Sequence, residues 1–219
     1  MKSGTVKCGF TLIEIIMTVA IIVILVSLVV GITKRIDDQN RERLCRNELA
    51  LLDNALEQFR DFGFEYKNPA YKPFNFPLDC NDDPYNLRNT LKTTLENEFG
   101  AIPPIPLPAN HDINDSGSEG LYLFLSQVPD CRTTIDKIDK TLVSNLDKSR
   151  NSMTINIGGS IVPLMRFIDP WGTTLHYDYY DESVFPPDSA TRKTFPVITS
   201  AGADRKFGTN DDIFNRQGK

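Results

Sequence analysis

The sequence predicts an α+β fold in which a long N-terminal α-helix, with a membrane-spanning first half, packs on a small antiparallel β-sheet head. Three observations predict it. An apolar run extends from Phe10 to Ile32, helical spacing of apolar residues follows it, and short alternating runs lie toward the C-terminus. The 219 residues suffice for one core of ordinary domain size plus an anchor. A formal net charge of −5 and a pI near 5.1 set nucleic acid aside, because a phosphate binder concentrates Lys and Arg on one face.

The apolar run decides the localisation. At about 1.5 Å per residue it spans roughly 35 Å as a helix, against a hydrocarbon core of about 30 Å, so it reads as a membrane span or a buried fibre core. A cleavable secretion signal is a poor match, since the small residue Gly9 precedes the apolar run and the run is too long. Flanking charge is equivocal, with Lys2 and Lys7 on one side and Lys34, Arg35, Arg41 and Arg43 on the other. Within the run Glu14 is the single acid. A carboxylate in such surroundings costs several kcal/mol unless it is paired, so Glu14 needs a partner or must snorkel to an interface.

Beyond the run, Leu44, Leu49, Leu52, Ala55, Leu56 and Phe59 keep helical spacing until Gly63, a natural stop. Prolines from Pro69 to Pro108 then mark surface loops, interrupted by one helix near Asn86 to Phe99. Ser116 and Glu119 fit a capping box that opens a short helix through Leu121, Phe124 and Leu125 and ends before Pro129. A second helix is expected over Ile135 to Leu146. The stretch "SMTINIGGSIVPLMRF" reads as a hairpin turning at Gly158 and Gly159, "TTLHYDYYD" alternates Leu175, Tyr177 and Tyr179 against His176, Asp178 and Tyr180, and "FPVITS" reads as another strand. Trp171, in a turn after Asp169 and Pro170, is expected to pack in the core.

The stretch "KCGFTLIE" resembles the type IV pilin superfamily: a short basic leader ending in Gly9, then Phe10, then an apolar helix with a glutamate fifth from Phe10. The runs "DPWGTTLHYDYY" and "SAGADRKFGTNDDI" narrow the resemblance to type II secretion major pseudopilins, while the middle of the chain is not covered. The resemblance implies a pilin-like fold and cleavage between Gly9 and Phe10 by a prepilin peptidase, which also methylates the new Phe10 amine. That amine would meet Glu14 of a neighbouring subunit and set the stagger of a fibre. The implied boundaries are a leader over 1–9, a transmembrane or fibre-core helix over 10–32, its amphipathic continuation over 33–63, a loop-rich and helical insertion over 64–160, and a C-terminal β region over 161–219.

The same resemblance implies a Ca²⁺ site in the final loop, with Asp204, Asp211 and Asp212 as side-chain ligands and backbone carbonyls near Ser200 and Ala201. Arg205 departs from that pattern, standing where a glycine is expected, and a solvated acidic turn is the alternative. Asp112, Asn114, Ser116 and Gly117 match the first half of an EF-hand loop, but Leu123 stands where its bidentate glutamate belongs, so the helix-cap reading is preferred. If Cys8 leaves with the leader, Cys45, Cys80 and Cys131 allow three pairings outside the cytoplasm. Cys80 with Cys131 is preferred because Cys45 lies near the membrane end of the helix. His111 and His176 have no triad or zinc spacing around them, and "NIGGS" lacks the lysine of a P-loop, so no enzyme is expected.

The resemblance therefore implies a type II secretion pseudopilus subunit, single-pass in a bacterial inner membrane with its head on the periplasmic side. Its partners would be identical or homologous subunits, the peptidase, and an assembly platform with its ATPase. The alternatives are a type IV pilus subunit, major or minor, and a signal-anchored binding domain that does not polymerise.

Overall fold

A computed structural model describes residues 11–63, 76–77, 80, 107–157, 160–179 and 195–216. The chain divides into two compact units, residues 1–41 and 42–219, each taken here by itself. Helix α1 runs over Leu12–Phe62, and its first described turn is closed by a reciprocal pair. Glu14 Oε2 accepts from the Thr11 N–H and hydroxyl, both at 2.9 Å, while the Glu14 N–H donates to Thr11 Oγ1 at 3.4 Å. This is a capping box, Thr-x-x-Glu, lying in plain sight inside the motif that carries the resemblance. Gly63 ends the helix at φ +65°, a conformation that favours glycine.

The expectation of a pilin-like helix with a membrane-spanning first half is corrected: among the described residues no helix is long and apolar enough to cross a membrane. The apolar stretch whose side chains are described ends at Ser27, short of the about 20 residues a crossing requires, and it includes the charged Glu14. In the first unit these side chains lie in the open. Leu12 is 80% exposed, and Ile13 to Val26 present large apolar groups at 51–66%.

In the second unit the single sheet is also corrected. The described strands form three small antiparallel sheets, pairing β1 (Val143–Ser144) with β4 (Arg166–Phe167), β2 (Thr154–Ile157) with β3 (Ser160–Pro163), and β5 (His176–Asp178) with β6 (Val197–Ser200) and β7 (Ile213–Phe214). Strands of two to four residues cannot cover a helix face, so helix α2 (Ser116–Gln127) is packed against β4 and β5 at the centre. Leu49, Leu52, Ala55, Leu56 and Phe59 of α1 join Phe124, Phe167, Leu175, Tyr177 and Ile198 in one core, where the Phe59 and Phe124 rings meet edge to face at 6.3 Å. Trp171 belongs to this core, and Leu175, Tyr177 and Tyr179 all face inward.

Two helix expectations change. Glu119 does not close a capping box with Ser116, because its carboxylate turns instead to His111, and Asp115 occupies the cap position without a side-chain bond. Asp112, the first EF-like position, caps a 3-10 turn over Ile113–Asp115 by accepting from the Asn114 N–H. The helix expected over Ile135 to Leu146 is instead α3 (Pro129–Ile135), opened by Pro129 in its first turn, which stops where that helix was to begin. Downstream, Asp139 accepts from the Thr141 N–H, which diverts the backbone into a 3-10 turn and then into β1. The helix expected near Asn86 to Phe99 and the Gly158–Gly159 turn lie outside the described residues.

Candidate functional site

The cleavage pair, Gly9 and Phe10, lies outside the described residues. Glu14 sits at the N-terminus of α1 with Oε2 engaged by Thr11. An exposed carboxylate held in this way stabilises its own helix end and keeps a second oxygen, Oε1, for another donor.

The acidic loop between β6 and β7 brings Asp204, Asp211 and Asp212 together, but as acceptors for the loop's own donors. Asp211 Oδ2 accepts from the Asp204 N–H at 2.9 Å and Oδ1 from the Thr209 hydroxyl at 2.6 Å. Asp212 Oδ2 accepts from the Gly208 N–H at 2.7 Å, and Asp204 Oδ1 from the Lys206 N–H at 2.8 Å. The Thr209 hydroxyl first, and then the Asp204 N–H, hold the Asp211 carboxyl below the usual carboxylate range. Among the described residues no three acidic, His or Cys side chains form a group that could hold a metal ion. Calcium needs six to eight converging oxygens, and here most of the carboxylate oxygens already face N–H or O–H groups. Asp212 Oδ1 is buried without a hydrogen-bond partner among the described residues.

Ser200 and Ala201 lie buried at the base of this loop, and Asp169 and Glu48 are buried as well. Asp169, 1% exposed, accepts from the Trp171 N–H at 3.0 Å and the Thr173 N–H at 2.8 Å on Oδ1, and from the Ser200 hydroxyl at 2.7 Å on Oδ2. Glu48, 2% exposed on α1, has no hydrogen-bond partner for either oxygen among the described residues. Burial pushes its carboxyl well above the usual range, and the nearby Asp169 charge adds to the shift. Asp169, with three donors, is the better ion of the two. Burial pushes the Asp169 carboxyl up as well, against the pull of these bonds, whereas Glu48 has no such bonds among the described residues to offset its burial. A buried Glu on a helical Leu/Ala face was the available signal, masked by its resemblance to an ordinary surface acid.

The preferred disulfide partners occupy different clusters, both as thiols. Cys131 is in the main core and donates to the Ala55 carbonyl at 3.2 Å, whereas Cys80 packs with Met153, Ile155 and Leu164 against Gly120. Burial pushes the Cys131 and Cys45 thiols up to about 12, which leaves little thiolate for exchange.

His111 is tied to the fold, whereas His176 is exposed on β5. His111 Nε2 lies 2.7 Å from Glu119 Oε2, with both side chains buried, and burial pushes the Glu119 carboxyl up against the opposing pull of that bond. Arg166 completes this network: Nε donates to Thr174 Oγ1, Nη2 donates to the Leu146 carbonyl, and the guanidinium lies 3.5 Å from Asp115. The network borders a cleft of about 880 Å³ lined by Asp115, Arg166, Thr174, His176, Arg205 and Phe207 among others.

No family model, no curated protein and no solved structure matches this chain.

Proposed function

We propose that the chain is a structural subunit of a type II secretion pseudopilus, processed between Gly9 and Phe10 and polymerised through its N-terminal helix, with its second unit on the extracytoplasmic side. The observation that supports this reading is the exposed apolar face from Leu12 to Val26. Burying one such side chain is worth about 1.5–3 kcal/mol, so a dozen left in water drive association with another apolar helix. A second copy offers the same face and, after cleavage, a cationic amine for Glu14 Oε1. In the low-dielectric interior of a helix bundle that pairing favours one stagger over its neighbours. In this reading a separate motor would drive assembly.

The test is the intact mass of the protein from its native membrane, with peptide mapping of the N-terminus. A chain starting at methylated Phe10 supports the processed-subunit reading. Retention of Met1 to Gly9 in peptidase-competent cells overturns it.

A further inference from the structure

The three carboxylates that line the cleft beside Arg166 are each engaged by donors of the fold. Asp112 is paired with Lys148 at 2.6 Å, and Asp115 accepts from the Thr174 hydroxyl at 2.6 Å. Asp147 is occupied by the N–H groups of Ser149 and Asn151 and by the side-chain amides of Asn110 and Asn151. The same cleft is lined by Arg205, which forms no ion pair among the described residues, and by His176, whose ring lies tilted against that of Phe207 with centroids 5.7 Å apart. The cleft thus has an uncommitted guanidinium, an imidazole and a half-exposed aromatic ring among its lining.

Arg205 is also in the wrong backbone conformation for its type. Its φ of +59° lies in the left-handed region, which glycine occupies without cost and a long side chain does not. Strain of this kind persists where the side chain has a use, and the inference runs from the observed outlier to the role. The Arg205 N–H bonds back to the Gly202 carbonyl at 3.3 Å, so the turn is a formed one whose geometry a glycine would satisfy better.

The geometry points to a binding site for an anionic small molecule, one bearing a carboxylate or phosphate next to a flat apolar ring, with Arg205 and His176 donating to the anion and Phe207 covering the ring. A planar guanidinium suits either oxyanion by paired N–H donation, and an aromatic neighbour adds a stacking surface that a lone surface cation lacks. The site lies wholly within the second unit and is independent of the fibre reading, so failure of one leaves the other standing.

The experiment is an NMR titration of the full chain with benzoate, with phenyl phosphate, and with benzyl alcohol as the uncharged ring. Saturable shifts at Arg205, His176 and Phe207 are expected from at least one anion, and the stronger of the two identifies carboxylate or phosphate as the preferred group. Arg205→Gly, which suits the turn, and Arg205→Gln, which keeps the backbone demand but removes the charge, should each weaken that binding by about tenfold or more. The proposal is overturned if neither anion shifts these residues, if benzyl alcohol binds as tightly as the anions, or if both variants bind like the parent.

Discussion

Glu48 is the residue at which the balance of forces is most one-sided. A carboxyl group with no donor in a dry core is tolerable only when protonated. Because its folded pKa is raised, its contribution is fully present below the usual carboxylate range and is lost as pH rises through the folded value. Stability should therefore decline from mildly acid toward alkaline pH. Glu48→Gln should abolish that decline and gain about 1–3 kcal/mol at the alkaline end, read from urea midpoints across pH. A parent protein with no alkaline loss would mean that Glu48 has found a donor. Asp169 should behave oppositely under truncation: Asp169→Ala strands two N–H groups and the Ser200 hydroxyl, at about 2–4 kcal/mol, visible in the same assay. Arg205→Gly should raise stability by about 1 kcal/mol through relief of the left-handed backbone.

At the scale of elements, two glycines hold segments at contact distance. A Cβ on Gly202 would sit 2.3 Å from the Asp211 carbonyl oxygen, and its φ is +65°, so Gly202→Ala should open the acidic loop and lower the melting temperature. Gly120 lies within α2, where alanine is ordinarily favoured by about 1 kcal/mol, yet a Cβ there would meet Cys80 Sγ at 2.5 Å. Gly120→Ala should therefore destabilise, and Gly120→Ala combined with Cys80→Ala should recover most of the loss in a double-mutant cycle. The acidic loop has its own pH signature. Since Asp211 titrates below its unfolded value, the loop's support is present above the usual carboxylate range and lost as pH falls through the lowered value. In calcium-free buffer, hydrogen exchange of the loop amides should accelerate in acid, and Asp211→Asn should remove that dependence. A rise in protection on adding calcium would show that the carboxylates regroup around the ion.

For the whole molecule, the exposed apolar helix of the first unit is the feature that demands a partner. Ile15, Val19 and Ile22 fall on one helical face, and replacing all three with serine should cut fibre yield by about tenfold or more while the second unit melts as before. Glu14→Ala should reduce fibre incorporation in a pull-down from assembly-competent cells, and Thr11→Ala should show a smaller loss, because Thr11 positions the Glu14 carboxylate without being its intermolecular partner. Undiminished fibre yield for Glu14→Ala would remove the stagger argument. In the second unit, Arg216 ties the C-terminal end to α1, with Nε against both Asp53 oxygens at 2.9 and 3.0 Å, Nη2 on Glu57 at 2.7 Å, and its plane 3.4 Å over Phe195. A lysine there would keep the charge and lose both the fork and the stack.

What the sequence determined by itself was local. The apolar spacing along α1 placed Leu49, Leu52 and Phe59 in the core, period-two alternation placed Leu175, Tyr177 and Tyr179 there, and the Thr11–Glu14 offset contained the cap that closes the first turn. These follow from periodicity and from bonds between near neighbours, which a short window of sequence carries. Where distant polar groups meet is set by the folded backbone alone. Glu48 faces Asp169 across 121 positions of chain, Glu119 abandons its own helix end for His111, and each of the three loop aspartates accepts from a backbone N–H group. A hydrogen bond has a single geometry and a residue type has many possible partners, so the spacing of acids names the candidates. Only the folded backbone, by deciding which donors arrive first, selects between a metal cage, a cap and a buried acid.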